Sequence, residues 1–375
     1  MQLLRVYTMK TFRKGDTAAG QAAYRKAARR LVPFLFCCYI LAYLDRVNVG
    51  FAKLQMSADL GLGDLAYGTG AGIFFIGYLL FEVPSNIILS KVGARIWIAR
   101  IMVSWGIVAS LQLLVSGEHA FCLLRFLLGV AEAGFFPGVI LYLSNWFPSE
   151  YRARMVAWFM TAVAAAGVVG GPVSGLILDV LDGCGGLQGW QWLFLLEGIP
   201  SSLMGVAVLY RLDDTPADAA WLSAPEREFL ARRTAIDEEE CRKGATGSHT
   251  AGFAFRNPVV WGLAAVYFCI VMGLYGISFW LPQIIRDTIT AEQSAIGWIS
   301  SVSWSTAAAA MVVSSLRDGS ASSRSPSPRP ASCPRFRASG RCPRWRLPAR
   351  LPLRASPSSI RSGTSPGTSV LSWSA

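Results

Sequence analysis

The stretch Tyr39–Leu54, YILAYLDRVNVGFAKL, places an acid and a base directly after an unbroken apolar run. That run begins at Leu31 and ends at Leu44, so it contains fourteen residues. As a helix it is roughly 21 Å long, which is too short for the ~30 Å hydrocarbon core of a bilayer. The helix must therefore continue through Asp45 and Arg46. Both charges are predicted to lie inside the membrane, where ionisable groups usually have a function.

The composition of the whole chain agrees with an integral membrane protein. Of its 375 residues, 53% are apolar and 15% are charged, whereas a soluble domain averages about 25% charged residues. Residues 317–375 carry +10 of the net charge of +12, so the membrane body is nearly neutral and nucleic-acid binding is not expected. The eight cysteines form no C-x-x-C pair. Since the sequence contains no metal signature and no nucleophile–base constellation, we expect neither an enzyme nor a bound metal or cofactor.

Eight apolar stretches recur along the chain, each near the twenty residues that a crossing requires. They predict an all-α integral membrane protein. Residues 31–210 should form a six-helix bundle, and residues 257–316 should contribute about two helices of a second bundle. The last stretch is rich in Ser and Ala and is the weakest of the set. The stretches are residues 31–52, 68–89, 96–115, 120–146, 155–178, 191–210, 258–282 and 295–316.

The loop charges predict the orientation in a cell inner (plasma) membrane. Residues 1–30 are basic, and the loops after the second and fourth spans carry Lys91, Arg95, Arg152 and Arg154. The loops on the other side carry mostly acids. Because cytoplasmic loops have an excess of Lys and Arg, the N-terminus and the polar central loop 211–256 are predicted to be cytoplasmic.

The last part of the chain, residues 317–375, has a different composition. Ser, Arg and Pro make up 35 of its 59 residues, and it contains no lysine. It lacks the apolar period of a helix, so we expect it to be disordered. Such a composition is typical of GC-rich DNA translated out of frame. An alternative hypothesis is therefore a truncated or frameshifted transporter fragment without transport activity.

The fourth span contains a further acid and a further base. Arg125 and Glu132 are seven residues apart, so they lie within about 20° of the same helix face. Counting residues from the span ends puts Arg125 at the depth of Asp45 and Arg46, with Glu132 nearer the midplane. A structural ion pair is the alternative, but two acids and two bases in lipid favour a functional site.

Four segments together resemble one transporter family. They are YLDRVNVGFA from Tyr43, GYLLFEVPSNIILSKVGARIWIARI from Gly77, LRFLLGVAEAGFFPGVILYLSNWFP from Leu124 and WQWLFLLEGIPS from Trp190. Their order and placement are similar to those of the anion:cation symporter family of the major facilitator superfamily, over about residues 31–301. The resemblance implies twelve helices in two six-helix bundles, with a cavity at the midplane. It also implies proton-coupled transport of a small organic anion, such as a sugar acid or a dicarboxylate, by alternating access.

The resemblance also implies roles for individual residues. Asp45 and Glu132 match the family's proton-linked acids, and Arg46 matches the arginine that binds the substrate carboxylate. Arg125 matches the arginine that pairs with the acids and contributes to substrate binding. Two tyrosines line the cavity, Tyr43 and Tyr78. The SKVGAR segment at residues 90–95 matches a degenerate form of the superfamily's loop motif, which is expected to latch the cytoplasmic side.

Overall fold

The computed structural model describes residues 18–244 and 258–324, which form ten α-helices and no strand. The predicted all-α fold is therefore confirmed for this part of the chain. The helices are α1 (Ala18–Asp59), α2 (Asp64–Val92), α3 (Ala94–Leu111), α4 (Glu118–Glu132), α5 (Phe135–Trp146), α6 (Ser149–Val180), α7 (Gly189–Arg211), α8 (Ala224–Gly244), α9 (Pro258–Thr288) and α10 (Gln293–Arg324).

Helix α1 runs without interruption through Asp45 and Arg46 for 42 residues, as the length argument predicted. It begins at Ala18, so the basic segment predicted over residues 1–30 is helical from that point. Residues 1–17 lie outside the described residues. The turns of α1 that precede residue 31 are stabilised by packing, because the buried ring of Tyr24 contacts the rings of Tyr151 and Phe229.

Seven stretches among the described residues are long and apolar enough to cross a membrane. They are α1, α2, α3, the α4–α5 pair, most of α6, α7 and α9, and they match the first seven predicted spans. The eighth prediction corresponds to α10, which is helical but is not one of the seven. This helix ends at Arg324, within the predicted tail, and residues 325–375 lie outside the described range.

The fourth span is broken between α4 and α5, where a continuous helix was predicted. The chain leaves helical geometry at Ala133, and Gly134 adopts the left-handed conformation with φ 89°. Pro137 contributes to the break because it has no N–H to donate to the carbonyl of Ala133, four residues earlier. The break therefore follows directly after Glu132, the last residue of α4.

A side chain from α2 compensates for the missing backbone hydrogen bond. The Ser85 hydroxyl donates to the Ala133 carbonyl at 2.7 Å, and it accepts a hydrogen bond from the Trp97 indole at 2.9 Å. Helix breaks in membranes are tolerated where neighbouring side chains satisfy the freed groups in this way. A Cβ atom on Gly134 would lie 2.2 Å from the Ser85 hydroxyl oxygen, so the position accepts only glycine.

Helix α8 lies within the segment that was predicted as a polar central loop, and packs against the starts of α1 and α6. Its first turn has a capping interaction in which the backbone N–H of Ser223 donates to Glu226 at 2.8 Å. Glu226 also pairs with Lys26 at 3.0 Å. The Ser223 amide and Lys26 hold the pKa of Glu226 below its ordinary value. Further along, Asp237 pairs with Arg152 at 3.1 Å. Residues 245–257 of the predicted loop lie outside the described residues.

The two largest apolar clusters of the described residues form most of the core, one towards each end of the bundle. We call the end that contains α8 the proximal end, and the end with loops 60–63, 181–188 and 289–292 the distal end. On α1, Ala42 belongs to the proximal cluster and Val49 to the distal one. The charged residues Asp45 and Arg46 therefore lie in a buried layer between the two clusters.

Candidate functional site

The best-defined contact of this buried layer joins α1 to the broken end of α4. The Arg46 Nε atom donates to Glu132 Oε2 at 2.6 Å, and Glu132 is fully buried. On its other side, Arg46 Nη1 donates to the Tyr275 hydroxyl of α9 at 3.1 Å. Arg46 therefore connects the first six spans to the seventh.

Arg125 lies in the same layer and is also fully buried. Its Nε, Nη1 and Nη2 atoms have no hydrogen-bond partner among the residues that the structure describes. The guanidinium carbon lies 5.0 Å from the centre of the Phe74 ring, which makes a cation–π contact. The resemblance implied that Arg125 pairs with the acids, but in this conformation Arg46 makes the ion pair with Glu132.

The two predicted tyrosines lie in different surroundings. Tyr78 is beside the ion pair, with the Arg46 guanidinium 5.2 Å from the centre of its ring. Tyr43 is buried on another face of α1, where it makes an edge contact with Trp304 at 5.7 Å between ring centroids. The structure therefore places Tyr78 beside Arg46 and puts Tyr43 in a separate cluster with Leu44, Val47 and Ala166.

Asp45 is fully buried but takes no part in the Arg46–Glu132 pair. Its Oδ2 atom accepts hydrogen bonds from the Trp105 indole at 2.5 Å and from the Ser201 hydroxyl at 2.8 Å. Consecutive residues of a helix point about 100° apart, so Asp45 faces α3 and α7 while Arg46 faces α4 and α9. The sequence analysis did not identify Trp105, Ser201 or Tyr275, because single polar groups in apolar spans have no distinguishing local pattern.

This arrangement favours a bound anion beside the two arginines. A buried guanidinium without partners is costly, because the charge has lost its water and gained no hydrogen bond in return. Arg46 Nη2 also has no partner in the described part of the chain. A planar carboxylate can accept two parallel hydrogen bonds from one guanidinium, and it would supply the hydrogen-bond acceptors that Arg125 lacks.

A second polar contact closes the distal end, between α1, α2 and α9. Lys53 is buried and pairs with Asp64 at 2.7 Å. Its ammonium group also donates to the Gln283 side chain and lies 3.8 Å from the centre of the Trp280 ring. Nearby, Arg286 Nη1 donates to the Leu54 carbonyl at 2.9 Å. Because α1 and α9 belong to different predicted bundles, these contacts hold the bundles together at this end.

We expect the substitution Lys53→Met to loosen the distal end while leaving the fold intact. Methionine keeps the length of the side chain but removes a desolvated cation–π contact of about 2 kcal/mol. Amide hydrogen exchange in the last turns of α9 should then become roughly 30-fold faster, as measured by mass spectrometry. The matched control is Lys91→Met at an exposed lysine. Equal exchange in both variants would contradict the assigned role of Lys53.

Comparisons with known proteins agree with this architecture. The family model described as Major Facilitator Superfamily matches residues 35–324. A Pseudomonas putida protein named "Putative metabolite transport protein NicT" is 46% identical over 78% of this chain and 66% of its own length. An Agrobacterium vitis protein named "Putative tartrate transporter" is 50% identical over 77% of this chain and 66% of its own length. A crystal structure of a D-xylose-proton symporter has a TM-score of 0.58 at 14% identity, covering 79% of this chain and 69% of that chain.

The chain thus spans just under two thirds of the length of these two curated relatives. The family match includes α1 from residue 35 onward and the other six membrane-crossing stretches in full, together with the buried layer of charges. The extent of this match and the identity to the relatives establish the family. The protein is a multi-pass membrane protein and belongs to the Major Facilitator Superfamily.

Proposed function

We propose that the chain binds a small organic anion, such as a sugar acid or a dicarboxylate, as part of a proton-coupled symporter that works by alternating access. The observation that carries this proposal is the fully buried Arg125, whose guanidinium nitrogens have no hydrogen-bond partner in the described ranges. Arg125 would bind the carboxylate of the anion, and Arg46 and Tyr78 would lie at the edge of this anion site. The names of the relatives support the same class of substrate.

The contact between Arg46 and Glu132 suggests how a proton is coupled to the anion. While Glu132 is ionised, it occupies Arg46 through the 2.6 Å hydrogen bond. A proton on Glu132 removes this competing charge, so that Arg46 can donate to the substrate carboxylate instead. The anion and the proton then enter the layer together, so that the proton offsets one carboxylate charge while the bundles rearrange, and for a sugar acid with a single carboxylate the total charge stays unchanged.

Binding of two matched probes tests the proposal. The full chain in lipid nanodiscs is titrated with L-tartrate and with L-threitol, which keeps the two secondary hydroxyl groups but has a primary alcohol in place of each carboxylate. We expect saturable binding of tartrate and none of threitol. Comparable binding of both compounds, or of neither, would contradict an anion site. Uptake of labelled tartrate into proteoliposomes with an inwardly directed proton gradient then tests transport.

We also propose that the proximal end is cytoplasmic, because the basic residues of the loops lie at that end. Cys184 is exposed in the distal loop 181–188, so it provides a direct test in intact cells. A membrane-impermeant maleimide should label the native chain from outside, and the variant Cys184→Ser should lose this labelling. Labelling of Cys184 only after the membrane is opened would reverse the orientation.

A further inference from the structure

The interior of the described part of the chain holds two acids that the proposed transport cycle leaves unused, Asp45 and Glu197. Glu197 of α7 is 5% exposed, and its Oε1 atom accepts a hydrogen bond from Ser174 at 3.2 Å. Its other oxygen, Oε2, has no partner among the described residues, and neither has Asp45 Oδ1. The two acids are close enough to interact electrostatically. Ser201, one helical turn after Glu197, places this part of α7 beside Asp45, because its hydroxyl is hydrogen-bonded to Asp45 Oδ2 at 2.8 Å.

An amide beside the two acids provides an independent observation. Asn48 is 1% exposed and lies beside Glu197. Apart from the Glu197 carboxyl group, neither its amide nitrogen nor its amide oxygen has a hydrogen-bond partner in the described ranges. A buried amide with so few partners is rare. The Asn48 amide, Glu197 Oε2 and Asp45 Oδ1 are therefore three buried polar groups that can hydrogen-bond to a carboxyl proton.

The charges of the layer indicate how many protons it holds. The charged side chains buried between the two apolar clusters are, in the described part of the chain, three acids and two arginines: Asp45, Glu132, Glu197, Arg46 and Arg125. Arg46 balances Glu132 directly. Arg125 of α4 is within electrostatic range of both Glu132 and Asp45. With all three acids ionised, the layer would carry an uncompensated negative charge in a medium of low dielectric constant.

We propose that Asp45 and Glu197 share one proton when no substrate is bound, which makes Glu197 a proton-binding residue on the side of α1 away from Arg46. Two neighbouring buried carboxyl groups cannot both ionise, so the pair titrates as one unit. Asp45 Oδ2 already accepts the Trp105 and Ser201 hydrogen bonds, so the oxygens left to carry the shared proton are Asp45 Oδ1 and Glu197 Oε2, which have no partner among the described residues. This inference extends the proposed function, in which Glu132 carries the coupled proton, but its test needs no substrate.

Infrared difference spectroscopy of the full chain in lipid tests the shared proton. We expect the native protein at neutral pH to show the C=O band of a neutral carboxyl group. Glu197→Gln should abolish it, because Asp45 then ionises against Arg125. Asp45→Asn should also abolish it, since Glu197 becomes the only acid of the pair. The matched control Glu118→Gln, at an exposed position at the start of α4, should leave the band unchanged.

Several outcomes would overturn the proposal. One is the absence of the neutral carboxyl band in the native protein at neutral pH. Another is a band that persists in Glu197→Gln, which would place the proton on a different residue. A band that persists in Asp45→Asn would show that the proton is not shared between the two acids. Loss of the band on replacing choline with sodium at constant ionic strength would assign the oxygens to a sodium ion. Since the measurement uses no anion, it is independent of whether tartrate binds.

Discussion

Replacing Arg125 with glutamine is expected to lower the affinity for L-tartrate by about 100-fold. Truncating one partner of a buried, hydrogen-bonded charge pair costs about 2–5 kcal/mol, and each 1.4 kcal/mol is a factor of ten. Because the guanidinium has no partner among the described residues, the substitution should break no hydrogen bond of the folded chain. The loss should therefore appear in binding, measured by equilibrium titration in nanodiscs, more than in thermal stability.

Two further variants make this prediction specific. Arg125→Lys keeps the charge but loses the planar fork, so its affinity should lie between those of the native chain and Arg125→Gln. Arg232→Gln removes an exposed arginine of α8 and should bind tartrate like the native chain. If Arg125→Gln retained native affinity, the anion site would have to lie elsewhere.

Replacing Glu132 with glutamine should make tartrate binding independent of pH. In the native chain the anion competes with ionised Glu132 for Arg46, so binding takes up one proton. Affinity should then be highest at low pH and fall by about tenfold per unit as the pH rises above the pKa of Glu132. Glutamine carries no charge at any pH and mimics the protonated acid. Tartrate titrations between about pH 5 and 8 measure how the affinity depends on pH in the native chain and in Glu132→Gln.

The same variant should lose accumulation of tartrate against its gradient, since no proton exchanges at this position. Exchange of bound for free tartrate should remain. Glu118→Gln, with an exposed acid at the other end of α4, should keep both the native slope and accumulation. A Glu132→Gln variant that still follows the native pH slope would disprove the competition between the anion and Glu132 for Arg46.

The membrane spans and the buried layer of charges were predictable from the sequence, because both depend on lengths. A run of fourteen apolar residues cannot cross a bilayer, so Asp45 and Arg46 were expected inside the membrane, and both are buried in the structure. Likewise, the seven-residue spacing placed Arg125 and Glu132 on one face, and both are buried. Such arguments need only the geometry of one helix.

The contacts within the layer were not predictable in the same way. Which arginine binds Glu132 depends on how α1 and α4 are rotated against each other, and this is decided by packing across the whole bundle. Tyr275 is 229 residues along the chain from Arg46, which donates to it, and Ser201 is 156 residues from Asp45, to which it donates. Helix α8 did have a local signal, since Ser223 and Glu226 have the spacing of a capping box.

The break between α4 and α5 affects the mechanical stiffness of the fourth span. Bending a continuous helix in a membrane strains backbone hydrogen bonds that no water can replace. At this joint the Ala133 carbonyl is already bonded to Ser85, and Pro137 has no N–H to lose. The angle between the two halves can therefore change at little cost in hydrogen bonds. Since Glu132 ends α4 and Arg125 lies two turns before it, both charges can tilt together while α5 stays packed against α3.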